Sequence, residues 1–128
     1  MAGSIAVTAS RVTGYHLNKY RIEWTSDASG NVSANTLDVV SGHLRQVKFI
    51  PGSGATQPTD LYDVTLTDAD GVDLLAGLGA NLSNAAARFL VPQASTFDRI
   101  FVEAGTITPG VANAGNAKTG SIILLIGP

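Results

Sequence analysis

Hydrophobic and polar residues alternate over much of the chain, and this alternation predicts strands. Between residues 19 and 25, Tyr20, Ile22 and Trp24 alternate with charged and polar residues, which is typical of a strand with one buried and one solvated face. A weaker form of the same pattern runs through residues 4–10. Further strand-like segments span residues 32–40, 44–50, 62–66, 72–75, 97–107 and 120–126.

Turn-forming residues separate these segments at intervals of about eight to twelve residues, as in all-β sandwiches and barrels. We therefore predict an all-β fold, a single antiparallel β-sandwich or jelly-roll-like domain over residues 1–128. One short helical segment is predicted near residues 81–90, where Asn81 or Ser83 can cap a short turn. Residues 109–119 are expected to continue a hairpin that turns at 114–119.

Two strands carry more specific expectations. Arg45, Val47 and Phe49 alternate and are expected to share one face. The C-terminal strand, residues 121–126, is apolar at every position after Ser121, so both of its faces must be covered. We expect one face to lie inside the sandwich and the other to lie against a partner subunit.

Composition and charge remove several classes of function. Only 14% of the residues are charged, against the usual quarter, and the net charge is −2. The eight Lys and Arg residues are scattered along the sequence, so no basic cluster points to nucleic acid or to an anionic membrane. The chain has no cysteine, which excludes disulfides. Its first residues lack the pattern of a signal peptide, and we expect synthesis in the cytosol.

Four aspartates lie close together at Asp63, Asp68, Asp70 and Asp73. If Gly71 is aligned with the sixth position of an EF-hand loop, the first and twelfth positions hold leucine and glycine in place of ligands. We interpret the segment as a hairpin turn in which aspartates bond the backbone and the glycine takes a positive φ. A surface cation at Asp68–Asp73 is the alternative.

Other candidate motifs lack a required part. "GLGANL" at residues 77–82 lacks the third glycine of a dinucleotide fingerprint, and "GNAKTG" at 115–120 lacks the glycine before the lysine of a P-loop. His16 and His43 lack a partner at the sequence spacing of metal ligands. Asp38 and Glu103 lie in strand-like segments and could meet in space, which the sequence cannot show. Trp24 alternates with polar residues and is expected in the core. We predict no catalytic, cofactor-binding or metal-binding residues, and no enzyme.

Three segments resemble a known family. "WTSDASGNVS" at 24–33, "YDVTLTDADGVDLLAGLGANLS" at 62–83 and "NAGNAKTGSIILLIGP" at 113–128 resemble small, β-rich virion structural proteins encoded among the head and tail genes of tailed bacteriophages. The resemblance covers about half of the chain and is most specific at 62–83. It implies a virion component, made in the host bacterial cytoplasm, and it brings no catalytic residues.

Within a virion we expect a capsid cement or decoration protein that binds the major capsid protein. We expect a homo-oligomer, with a trimer at three-fold positions favoured, and no nucleic-acid or membrane partner. One alternative is a tail, connector or collar component. A second alternative is a carbohydrate-binding β-module. It is disfavoured because sugar-binding sites usually expose aromatic residues for stacking. This chain has few aromatic residues, and most occupy positions that the alternation assigns to the core.

Overall fold

The computed structural model of the protein describes residues 3–12, 16–90, 93–94, 98–99, 101–102 and 105–127. In this part of the chain the regular structure is β-strand, apart from a single 3₁₀ turn, η1, at Gly54–Thr56. The all-β prediction is confirmed. The strands are β1 (Ser4–Val12), β2 (Leu17–Thr25), β3 (Leu37–Val39), β4 (Gly42–Pro51), β5 (Asp63–Thr67), β6 (Arg88–Leu90), β7 (Gln93–Ala94), β8 (Asp98–Arg99), β9 (Phe101–Val102), β10 (Gly105–Ala112) and β11 (Thr119–Gly127).

The strands form a large sheet, a small sheet and a short pair. The large sheet has the order β1-β2-β11-β4-β6, with β9 also paired to β4. The small sheet has the order β3-β10-β5, and β7 pairs with β8. These pairings are all antiparallel. Buried residues of the large and small sheets belong to one hydrophobic cluster, in agreement with the predicted sandwich.

The inner face of the large sheet is centred on β11. One row across it runs through Ile22, Ile122 and Phe49, and all three side chains are almost completely buried. Tyr20 and Trp24 are buried on the same face of β2, as their alternation predicts. Full burial of such side chains contributes about 1.5–3 kcal/mol each, so this face supplies a major part of the core.

The small sheet closes the core from the other side. Tyr62 precedes β5 and, like Val64 and Leu66, is buried, so the alternation in this segment is confirmed. The buried residues of β10 are Ile107, beside β3, and Pro109 and Val111, beside β5. Where the two sheets face each other, the rings of Trp24 and Tyr62 pack with centroids 5.6 Å apart at an interplanar angle of 49°.

Gly120 makes room for this aromatic contact. It lies opposite Trp24 in the pairing of β11 with β2. A Cβ atom at residue 120 would overlap the indole ring, because the ring lies directly over the glycine backbone. The absence of a side chain at this position therefore lets the largest side chain of the core pack against the strand.

The expected hairpin across residues 109–119 is wrong in its pairing. Strand β10 does continue to Ala112, but it pairs with β3 and β5, whereas β11 pairs with β2 and β4. The segment between them therefore crosses from the small sheet to the large one. Ser26, the buried polar residue at the end of β2, secures this crossing: its Oγ donates to the Gly115 carbonyl at 2.5 Å and accepts from the Lys118 N–H at 2.8 Å.

A bulge changes the expected face of one residue in β4. Ile126 pairs with Leu44, and the preceding residue of β11 pairs with residue 46, so Arg45 has no opposite residue. Val47 and Phe49 share the buried face as predicted, but Leu44 joins them in place of Arg45, which is only half-buried. The inserted residue reverses the alternation, which sequence periodicity cannot show.

The helical segment predicted near residues 81–90 is wrong. Residues 81–87 contain bends and a single β-bridge from Leu82 to Tyr62, and the following residues form β6, which pairs with β4. The capping signal was real, because Ser83 Oγ accepts from the N–H groups of Ala85 and Ala86 at 3.1 and 3.2 Å. It closes a local turn instead of starting a helix, since pairing with β4 takes over at Arg88.

The second face of β11 is covered without a partner subunit. Ile123 is only 4% exposed and lies in register between Arg21 of β2 and Lys48 of β4. Directly opposite residues share a face, so the alkyl stems of these long side chains lie beside the isoleucine. Leu125 is half-buried. Ile123 is therefore buried within the chain itself, and a subunit interface at this strand stays a prediction.

We expect Gly120→Ala to lower the free energy of unfolding by about 1–3 kcal/mol, because the new methyl group must displace the indole of Trp24. Ser121→Ala, one residue along on the outer face, is the control and should change it by less than about 0.5 kcal/mol. Denaturant unfolding measures both, and equal transition midpoints for the two variants would contradict the close packing described here.

Burial raises the pKa of Tyr62 to about 12, against about 10 in an unfolded chain. Between these values the unfolded chain releases the phenolic proton while the folded chain keeps it, so stability should fall as the pH rises through this window. Tyr62→Phe should remove that part of the pH dependence. Unfolding measured at several alkaline pH values tests this, and identical pH profiles for the two proteins would disprove it.

Candidate functional site

The aspartate-rich segment is a turn, as predicted. Asp68 Oδ1 accepts from the N–H groups of Asp70 and Val72, both at 3.0 Å. The Asp68 N–H donates to the Val72 carbonyl at 2.9 Å, and Gly71 has a φ of 84°. The Asp68 carboxylate thus stabilises the turn by accepting hydrogen bonds from its backbone N–H groups. Gly71 takes the left-handed conformation that the turn requires.

Asp73 connects this turn to the strand before it. Its Oδ1 accepts from the N–H groups of Leu66 and Leu75 at 3.1 and 3.0 Å, and its Oδ2 accepts from Gly77 at 3.1 Å. Both carboxylate oxygens are therefore directed at backbone donors. We conclude that the side chain organises the loop after β5.

Asp63 and Asp60 have the same kind of role. Asp63 accepts from the Asn81 N–H at 2.9 Å and from the Asn113 side chain at 2.6 Å, and Asp60 accepts from the Asn84 N–H at 3.2 Å. These carboxylates join segments that are distant in sequence. In the part of the chain that the structure describes, no group of three or more His, Cys, Asp or Glu side chains is placed to hold a metal ion.

The histidines lie at one end of the large sheet. Arg11 Nη2 is 3.1 Å from His16 Nδ1, and both residues are exposed. His43 belongs to β4 and pairs with Gly127 of β11. Neither histidine therefore joins the aspartates of the turn.

The remaining candidates also serve the fold. Asp38 of β3 accepts from the Thr106 hydroxyl of β10 at 3.2 Å, and Glu103 lies outside the described residues. Lys118 Nζ donates to the Ala55 carbonyl at 3.1 Å, so this lysine joins the turn before β11 to η1.

Most of the described sheet edges are protected against pairing with another chain. Backbone groups after the aspartate turn cover the free edge of β5: the Leu74 N–H donates to Leu66, and the Val64 N–H donates to Gly79. Of the other edges, β3 and β6 are three residues long and carry Asp38 and Arg88 respectively, and β9 is two residues long. Short, charged or covered edges are the usual means of preventing edge-to-edge association.

Strand β1 differs from these edges. It pairs with β2 over all nine residues, Ser4–Val12, and no segment within the described residues pairs with its other side. Residues 4–10 contain no charge and no proline, and most of the strand is exposed. It is therefore a long, fully formed edge without the protective features of the others.

The small sheet leaves part of the inner face of β1 uncovered. Val7 lies opposite Ile22 in register and on the same face, yet Val7 is 39% exposed whereas Ile22 is completely buried. Ile5 is half-buried and Ala9 is exposed. Ile5 packs against the hydrophobic core, so the uncovered part of this face begins at Val7 and includes Ala9.

Charge is divided between the two layers, although it is scattered in the sequence. The strands of the large sheet carry six of the eight cationic residues, with Glu23 as their one anionic residue. Residues 60–73, which include β5 and the aspartate turn, contain five aspartates and no lysine or arginine. Strand pairing places Lys19, Arg21 and Lys48 on one face, opposite Leu125 or Ile123 of β11, although they are far apart in sequence.

Comparison of the sequence with protein-family models finds no match, and no curated protein matches it. Among the residues that the structure describes, no helix has the length and apolar character needed to cross a membrane.

We expect Asp73→Ala to destabilise the protein by about 1–3 kcal/mol, because three backbone N–H groups lose their acceptor. Asp70→Ala removes an equal charge from the same turn, but the Asp70 carboxylate accepts no hydrogen bond from the described residues, so this change should cost less than about 0.5 kcal/mol. Thermal or denaturant unfolding gives the comparison. Equal losses would mean that charge, not hydrogen bonding, is the contribution of these aspartates.

Proposed function

We propose that this protein is a non-enzymatic virion structural protein, a capsid cement or decoration protein that binds the lattice of the major capsid protein. The observation that supports an assembly role most directly is the unprotected nine-residue edge of β1, with apolar side chains beside it. The likeness of residues 24–33, 62–83 and 113–128 to phage virion proteins supplies the virion context.

A role without catalysis agrees with what the polar side chains do. The carboxylates at Asp63, Asp68 and Asp73 accept hydrogen bonds from loop backbones or neighbouring side chains. Ser26, a buried serine after β2, bonds backbone groups of Gly115 and Lys118 in the crossing segment. These groups are used to fix loops in place, which is the requirement of a rigid binding module.

A cement protein stabilises a shell by adding contacts across the joints between capsomers. The exposed edge of β1 offers backbone hydrogen bonds, and the charge difference between the sheets favours one orientation of docking over others. Self-association and docking on the major capsid protein both belong to this proposal. The trimer at three-fold positions is the prediction from the sequence, and the β1 pairing inferred below predicts a dimer in its place.

A tail, connector or collar component is the second candidate, because an exposed sheet edge serves ring assembly equally well. A carbohydrate-binding module fits less well. Trp24, Tyr20 and Tyr62 are buried, and Phe89, at 64% exposed, is the one exposed aromatic side chain among the described residues. Sugar recognition by stacking would need such rings at the surface.

The test compares particles assembled with and without this protein. We expect hundreds of copies per particle by quantitative mass spectrometry, and release of DNA at a lower temperature from particles that lack it. About a dozen copies or fewer, with heads that are equally heat-resistant but tailless in its absence, would contradict the cement role and favour the tail candidate.

A further inference from the structure

We infer that β1 pairs antiparallel with β1 of a second copy of the chain, about a two-fold axis at Val7, so that the two large sheets become continuous. This inference rests on the geometry of β1 and does not depend on the proposed virion role. Contacts that repeat the same surface on both subunits are the commonest form of homo-oligomeric interface.

The contrast between the edges supports pairing at this site in particular. The edge of β5 already accepts and donates hydrogen bonds to its own loop, and β3 and β6 are short and charged. β1 offers nine consecutive residues held in extended conformation by β2. No ordering of the strand is therefore needed before a second strand binds.

The sequence of β1 is complementary to itself in this register. Pairing about Val7 places Val7 opposite its own copy and Ile5 opposite Ala9 on the inner face. On the outer face, Ser4 lies opposite Ser10 and Ala6 opposite Thr8. Large side chains thus face small or equal ones. The inner faces of both copies lie on one side, where their exposed apolar residues form a shared strip.

The charges favour the same register. Arg11 is the only charged residue of β1, and pairing about Val7 places it opposite Gly3 of the second copy. The two arginines are then about 27 Å apart at about 3.4 Å per residue, well beyond the screening length at physiological salt. Pairing about Val7 joins residues 4–10 of the two strands. Pairing about Thr8 would join all nine residues but place Arg11 opposite the apolar Ile5, and pairing about Ala6 would join only residues 4–8.

Light scattering of the purified protein tests the inference. We expect the wild type to have the mass of a dimer. Val7→Lys should have the mass of a monomer even at concentrations about tenfold above those at which the wild type is dimeric, because two lysines would then oppose each other at the axis. Val72→Lys is the matched control: Val72 is 57% exposed but lies in the aspartate turn, so this variant should remain a dimer.

Charge reversal at the same residue tests the register. Val7→Glu alone should also be monomeric, whereas a mixture of the Val7→Lys and Val7→Glu proteins should recover the dimer, because opposite charges then meet at the axis. Each variant should keep the far-UV circular dichroism spectrum of the wild type, since Val7 is outside the core. Recovery in the mixture cannot arise from misfolded chains.

A cross-link tests the two-fold axis directly. The chain has no cysteine, so Val7→Cys introduces a single thiol that should form an intersubunit disulfide on mild oxidation, whereas Val72→Cys should not. A monomeric or trimeric wild type, a dimeric Val7→Lys variant, or equal cross-linking of the two cysteine variants would overturn the inference. None of these results bears on the particle experiment, so failure of the virion role is detected separately.

Discussion

The structure depends on one constraint, the burial of a C-terminal strand that is apolar on both faces. Strand β11 meets this constraint by lying between β2 and β4, where its inner side chains enter the core and Ile123 is covered between Arg21 and Lys48. A central position follows, because an edge strand of this composition would expose one row of apolar side chains. The crossing at residues 113–118, secured by Ser26, delivers the strand to that position.

The same arrangement produces the exposed edge. Placing β11 at the centre of the large sheet pushes β1 to its margin, and the three-stranded sheet covers only the middle of the larger one. The core is complete without β1, since Ile22 and Trp24 are buried while Val7 remains partly exposed. A surface suited to association therefore results directly from the requirements of the core, and our proposals for assembly start from it.

Sequence reasoning succeeded where structure is local. Tyr20, Ile22 and Trp24 alternate over a few residues, and the aspartate turn is formed by hydrogen bonds within five residues, so both could be predicted. It failed where partners are distant. The bulge at Arg45, the pairing of β10 and the replacement of a helix by β6 each depend on strands far away in the chain. The exposed edge could not be predicted either, because it is defined by the extent of the opposite sheet.

The central claim is that β1 is an exposed edge which a second chain covers. Hydrogen exchange of the β1 amides at several protein concentrations tests it most directly, because alternate N–H groups of an edge strand point away from its neighbour. The account predicts that these alternate amides exchange rapidly in dilute protein and become protected as the concentration rises, while those bonded to β2 stay protected throughout. Protection of the outward amides that does not change with concentration would contradict it.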